Sequence, residues 1–225
     1  MSATPTTTFT ERQAVIVAPH ADDETLGAGG LIVRLLHAGW RVRVVIVSEG
    51  VVTARGDRQV NSEHAHAACR ILGVEPPRFL GLPDQQFDTV PMATLASAVS
   101  GAVGDADLIV TAASTDLNGD HRLVAEAVRI AARPRPRPVS ILEAEIPSTT
   151  FWNGEPFPAN YYVDITDALE TKIRALEEYR NEIKPFPHPW SREGLTLLAR
   201  YHGMQAGYGA AEAFRLIRGY AGLLP

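Results

Sequence analysis

"AVIVAPHADDETLGAGGLIVRLLHAGWRVRVVIVS", residues 14–48, contains two apolar runs separated by a stretch of different rhythm. Residues 14–18 are apolar throughout and end at Pro19, as in a strand buried on both faces. From Leu26 to Ala38 the apolar residues Leu31, Leu35 and Leu36 fall on one helical face, and Gly39 follows as a C-terminal stop. Residues 41–48 are β-branched almost throughout and read as the next strand. A strand, a crossover helix and a second strand make a parallel βαβ unit, which is right-handed in nearly every known case.

The same alternation continues along the chain. Helices are expected at 62–73, with a Ser62 N-cap and a Gly73 stop, at 91–103 and at 119–133. Strands are expected at 78–82, 107–113 and 139–146, the last after the stiff connector "RPRPRP" at 133–138. Beyond residue 150 comes a loop with an aromatic strand, then helices at 167–179, 191–205 and 210–219. The expected fold is α/β and Rossmann-like: a mostly parallel sheet with helices on both faces and a helical C-terminal extension. One domain should span 1–225, with 1–12 a loose tail and 147–225 shaping a substrate pocket.

Composition narrows the function. A formal net charge of -5 without a Lys/Arg block argues against nucleic acid as the main partner. No apolar stretch approaches the roughly 20 residues that a bilayer requires, and the polar, Thr-rich start is no signal peptide. Cys69 is the single cysteine, so no internal disulfide forms and a reducing compartment fits. The expectation is a cytoplasmic protein with a small-molecule substrate and no membrane partner. The apolar and aromatic tail would suit a homo-oligomer interface.

Two polar clusters follow strands. His20, Asp22, Asp23 and Glu24 come after the first strand; "STDLNGDHRLV", 114–124, comes after the 107–113 strand and opens a helix. In a parallel sheet both emerge at the same edge, where α/β folds bind ligands. Taken singly, acids after a proline are ordinary helix caps and His121 an ordinary first-turn residue. Taken together, two histidines and a carboxylate are a catalytic zinc set, which leaves a fourth position open. The spacing His20-x-x-Asp23 lets a tight turn aim both groups at one point, and His121 would close the set from across the sheet. Asp22, displaced from Asp23, is left to act as general base toward an attacking water.

"APHADDETLGAGG" resembles the "AHPDDE…GG" signature of the PIG-L/LmbE-like zinc deacetylases, and "DLNGDHRLVAEAV" resembles that family's second signature, an Asp-His pair opening a helix. "HAACRILGV", "FLGLPDQQFD" and "KIRALEEY…PHPWS…GMQAGYGAAEAF" extend the likeness over nearly the whole chain. The resemblance implies a Rossmann-like fold and removal of acetyl from an N-acetylglucosamine-type amino sugar. It implies zinc, or another divalent transition metal, on His20, Asp23 and His121, with Asp22 as base. Two departures stand out. Ala21 occupies a position where the family often has proline. Asn118 stands where the second motif often has a histidine that aids the intermediate or the leaving amine. Asn118 can donate to an oxyanion but cannot protonate an amine. His188, held between prolines in "PFPHPWS", is the candidate for that proton; its other reading is a loop histidine packed on Trp190.

Asp84 is a candidate for sugar hydroxyls or a turn residue after Pro83, and Arg55 and Arg58 could grip a phosphate or hydroxyl. Two alternatives compete. A nucleotide-sugar-binding module would use "GAGG", 27–30, as a phosphate turn, but that run follows three acids that repel phosphate. A non-catalytic metal binder would have no need of Asp22.

Overall fold

The computed structural model describes residues 11–54, 57–134 and 136–225, and for 52–54 and 57–59 the backbone alone. β1 (Gln13–Ala18), α1 (Asp23–His37) and β2 (Arg41–Ser48) form the expected βαβ unit. A hairpin, β3 (Val51–Ala54) and β4 (Asp57–Val60), precedes α2 (Ser62–Leu72) and β5 (Arg78–Leu82). Then come α3 (Met92–Val103), β6 (Leu108–Ala112), α4 (Gly119–Ala131) and β7 (Ser140–Ala144). β8 (Tyr161–Asp164), α5 (Leu169–Leu176), α6 (Arg192–Ala206) and β9 (Ala211–Arg218) complete the chain.

The main sheet has seven strands in the order β5-β2-β1-β6-β7-β9-β8. The first five are mutually parallel; β9 runs antiparallel to both β7 and β8. β1 shows why the apolar run is continuous. Ala14, Ile16 and Ala18 join one buried cluster with Leu31 and Leu35 of α1, whereas Val15 and Val17 join the other with Leu95 of α3 and Val124 of α4. Each face of the strand is covered, so no position is left for a polar residue. Because β2 lies on one side of β1 and β6 on the other, the strand order reverses between β1 and β6. A crevice opens at such a switch point, at the carboxyl ends of the strands.

One expected helix is a strand. A helix is expected over 210–219, yet Ala211–Arg218 is β9. Intrinsic preference loses here to tertiary pairing. β9 fills the gap between β7 and β8 and buries Phe214 completely. Its Glu212 accepts the N–H groups of Gly30 and Leu31 at 2.8 and 2.7 Å and the Lys172 ammonium at 2.7 Å. The C-terminal extension is therefore helical only at α5 and α6. The β3–β4 hairpin was not anticipated, and Asn61 rather than Ser62 precedes α2 as its cap residue.

"GAGG" is no phosphate turn. It lies inside α1, where a Cβ at Gly30 would stand 2.6 Å from Ile165 and one at Gly27 2.8 Å from Ile146. These glycines let the helix approach the sheet. Arg55 lies outside the described residues, and Arg58 is described only as backbone in β4. No helix among the described residues is long and apolar enough to cross a membrane.

Candidate metal centre

The acids after β1 do not serve as ordinary caps. Asp22 occupies the cap position of α1 at φ 129°, and its side chain makes no capping hydrogen bond. Asp23 Oδ2 instead accepts the backbone N–H of His20 at 2.9 Å, closing the tight turn the spacing called for. His20, Asp22, Asp23 and His121 are all buried.

Three donor atoms converge. His20 Nδ1 lies 3.4 Å from Asp23 Oδ2, which lies 3.2 Å from His121 Nε2, which lies 3.3 Å from His20 Nδ1. A tetrahedral ion bound at about 2.0–2.1 Å sets its ligands about 3.3 Å apart. This triangle therefore has the dimensions of one face of such a tetrahedron, with a fourth corner open. Among the described residues these three form a group able to hold a metal ion.

The remaining ring nitrogens are also engaged, as metal-binding histidines require. His20 Nε2 lies 3.0 Å from Asp120 Oδ2, whose other oxygen accepts the Phe87 N–H at 3.1 Å. His121 Nδ1 lies 3.1 Å from Asp116 Oδ2. Asp116 is held in turn by the Thr149 hydroxyl at 2.8 Å and the Asn118 N–H at 2.8 Å. Asp116 and Asp120 thus turn the two rings so that Nδ1 of one and Nε2 of the other face inward. Both belong to the 114–124 motif, but their spacing alone did not reveal this role.

The electrostatics are those of a cation site. Burial alone would raise the Asp23 pKa, but the His121 and His20 rings outweigh it and hold the carboxyl well below its usual range. Burial alone would lower the His121 pKa; Asp23 and Asp116 outweigh it and push it up to about 10. In the metal-free chain a proton on His121 therefore stands where the ion's charge would be. Because the folded pKa is raised, His121 stabilises the metal-free chain fully below about pH 6.5, the usual value. That contribution disappears as pH rises through about 10. Two results are expected. Zinc added to metal-free protein at pH 7 in weak buffer releases at least one proton per ion, read with a pH indicator. The melting temperature of the metal-free protein falls between pH 7 and 10 more than that of the loaded protein.

Asp22 differs. Burial, then the charges of Asp23, Glu182, Glu24 and Asp84, raises its pKa well above the usual carboxylate value. It lines a cavity of about 90 Å3 over the triangle, together with Asp84, Gln85, Asn118, Thr149, Glu182 and Trp190. Asp84 also lies 3.5 Å from His20 Nε2. Asn118 Oδ1 caps α4 by accepting the Asp120 N–H at 2.9 Å, and its NH2 group donates to Gln85 Oε1 at 3.5 Å. His188 is not among the residues lining this cavity. It packs edge-on to Trp152 and Trp190, and its Nδ1 accepts the Trp190 N–H at 3.1 Å. Thr149, Glu182 and Trp190 reach the cavity from residues beyond 147; of these only Trp190 lies in a quoted motif, and not as a cavity residue.

The unusual backbone of Asp22 is clamped. Its N–H donates to Glu24 Oε2 at 3.0 Å, and Glu24 Oε1 accepts the Thr25 and Tyr179 hydroxyls at 2.6 Å each. Glu24 and Tyr179 are completely buried. A non-glycine residue at such a φ costs of order 1–3 kcal/mol and persists only when its surroundings enforce it. Tyr179→Phe should cost about 1–3 kcal/mol of stability by removing a donor from a buried carboxylate. It should lower turnover while leaving metal content intact, as checked by thermal unfolding and elemental analysis.

Known proteins resemble this chain. The chain is 24% identical over 229 residues to a diacetylchitobiose deacetylase of Thermococcus kodakarensis, covering 92% of this chain and 84% of that one. It is 26% identical over 188 residues to a probable N-acetyl-alpha-D-glucosaminyl L-malate deacetylase of Bacillus cereus, covering 76% and 84%. Its fold is shared with the 4-carboxy-2-hydroxymuconate hydratase of Pseudomonas putida KT2440, at a TM-score of 0.69 and 22% identity over 93% of this chain and 98% of that one. Residues 15–132 match the model of the PIG-L family, described as GlcNAc-PI de-N-acetylase. That stretch holds more than half of the chain and all three converging donors, and the chain belongs to the PIG-L family of N-deacetylases, which are hydrolases.

Proposed function

We propose that the protein is a zinc-dependent hydrolase that removes acetyl from an N-acetylglucosamine-type conjugate, releasing acetate and a free amine. One observation supports this reading: a complete three-donor set shares one cavity with a further acid, Asp22, that is not one of the donors. Holding an ion requires only the three donors; Asp22 beside them has a use if something reacts there. An ion held by His20, Asp23 and His121 would polarise the acetamide and bring the pKa of water from about 15.7 toward about 7.

The chain's own groups do the rest. Asp22 takes a proton as water adds to the acetamide carbon. The Asn118 NH2 group, pointed by its capping bond, donates to the oxyanion. As the C–N bond breaks, the amine nitrogen must gain a proton, and Asp22 is placed to return the one it took. His188, whose pKa burial and Lys184 lower, then acts by fixing Trp190 at the cavity. On this reading His188→Ala keeps its metal and loses rate, and its pH profile keeps the wild-type alkaline limb; loss of that limb would restore His188 as the acid. Asp84 and Gln85 line the same cavity and on this reading meet sugar hydroxyls.

A shared fold does not fix the reaction, as the hydratase shows. The test is acetate release by zinc-loaded protein from free N-acetylglucosamine, nucleotide-linked N-acetylglucosamine and N-acetylglucosaminides. Acetate from at least one class is expected. No acetate from any of them, with zinc bound, would overturn the reading.

A further inference from the structure

The metal cavity holds an acid that neither the ion nor the base requires. Glu182 lines it, and the described residues of the lining include no Lys or Arg. Asn61, completely buried, donates from Nδ2 to Glu182 Oε1 at 3.2 Å. Its Oδ1 accepts Asn181 Nδ2 at 2.6 Å, and its N–H donates to the Gly50 carbonyl at 2.8 Å. Asn61 is thus held at three atoms, and it fixes the Glu182 carboxylate without neutralising it. Of the four acids in the lining, Asp23 and Asp84 face imidazole nitrogens, whereas among the described residues Asp22 and Glu182 face none. Asp22, only 6% exposed, makes no side-chain hydrogen bond to a described residue, so a buried polar group looks into the cavity without a partner. One segment sets both acids: Tyr179 clamps the Asp22 backbone through Glu24, and its carbonyl accepts the Glu182 N–H at 2.9 Å.

Two acids with no cation of the protein beside them repel each other. Deacetylation makes the cation that relieves this. A neutral acetamide and a water give an amine and acetic acid. As the C–N bond breaks, the nitrogen keeps the electron pair of that bond and takes the water proton that Asp22 held. The proton of acetic acid then passes to the amine, so the products at neutral pH are an acetate and an ammonium. The ammonium forms beside the metal site, where a bound divalent ion would repel it. A carboxylate fixed in the same cavity offsets that repulsion with charge-assisted hydrogen bonds.

We propose that Glu182, oriented by Asn61, receives the ammonium of the amine product. Glu182 has this role only if the deacetylase reading holds.

The test compares zinc-loaded wild type with Glu182→Gln, which keeps the side-chain shape and the oxygen that accepts Asn61. Glucosamine carrying an NMR-active nitrogen isotope is bound to each protein, and its amine is titrated in the bound state. In the wild type the bound amine should have a pKa about one unit above its free value, so that the ammonium binds about tenfold more tightly than the neutral amine. Glu182→Gln should remove that rise and weaken glucosamine about tenfold at neutral pH, since the two effects are one linked free energy. Neutral N-acetylglucosamine is the control: its binding to Asp22→Asn protein should barely change when Glu182→Gln is added. A bound pKa below the free value would place the amine on the metal and overturn the proposal. Equal loss of affinity for the neutral sugar would overturn it too, since Glu182 would then be shaping the cavity rather than reading charge. Acetate release from any acetylated probe, with glucosamine unbound or indifferent to Glu182→Gln, would sink the Glu182 assignment alone. No acetate from any probe and no bound glucosamine would remove the deacetylase reading and this role together.

Discussion

His121→Ala should purify with almost no zinc and show no acetate release above background. The three donors lie within 4.8 Å of one another, and a catalytic site of this type rests on three protein ligands. Removing one leaves two, and the loss should exceed that from the residues behind the rings. Asp116→Asn and Asp120→Asn keep all three donors while weakening ring orientation, and such changes cost about 10–100-fold in metal affinity or activity. The order of effects, ligand first and orienting acid second, is the assignment's signature under elemental analysis after dialysis. The alanine variant has a further property. Without metal, the wild type keeps a protonated His121 between Asp23 and Asp116. Removing the ring leaves those two buried carboxylates with no charge between them, so the variant should also melt earlier than the metal-free wild type at neutral pH. Full zinc occupancy in a folded His121→Ala protein would remove His121 from the ligand set.

The sequence revealed the metal centre more fully than the cavity around it, for a physical reason. The three donors sit directly after β1 and at the start of α4, beside strands whose uninterrupted apolar runs place them inside a doubly covered parallel sheet. Strand direction then brings both clusters to one edge without any knowledge of packing. The Asp22 clamp was hidden because Tyr179 acts across 155 positions and nothing in "LEEYR" distinguishes a buried hydroxyl from a surface one. Glu182 and Thr149 were hidden for the same reason, and Trp190 was legible only as a partner of His188: each reaches the cavity through loop geometry, which no periodicity encodes. β9 misled because "AAEAFRL" suits a helix in isolation, and only the open edges of β7 and β8 make it a strand. Glu212 within it could have been a warning, since a buried acid demands partners that a surface helix would not supply.

Asp22→Asn should bind zinc, keep its fold and lose about 10²–10⁴-fold in turnover, the usual contribution of a general base. Asparagine is the informative replacement at this position. It preserves side-chain shape, and it is among the non-glycine residues that best tolerate positive φ, which Asp22 adopts at 129°. It also resembles the protonated carboxyl that burial and neighbouring acids favour in the metal-free chain, so stability without metal should barely change. With a cation bound close by, the balance reverses and the carboxylate form is favoured. The wild-type rate should therefore rise with pH through the Asp22 pKa, whereas the residual rate of the Asn variant should lack that acid limb. Zinc content decides between the ways this could fail. If Asp22→Asn loses its metal, Asp22 is itself a ligand and the division between holding and reacting is misplaced. If the variant keeps zinc and nearly full activity, the base lies elsewhere, and Glu182 on the same cavity becomes the acid to replace next.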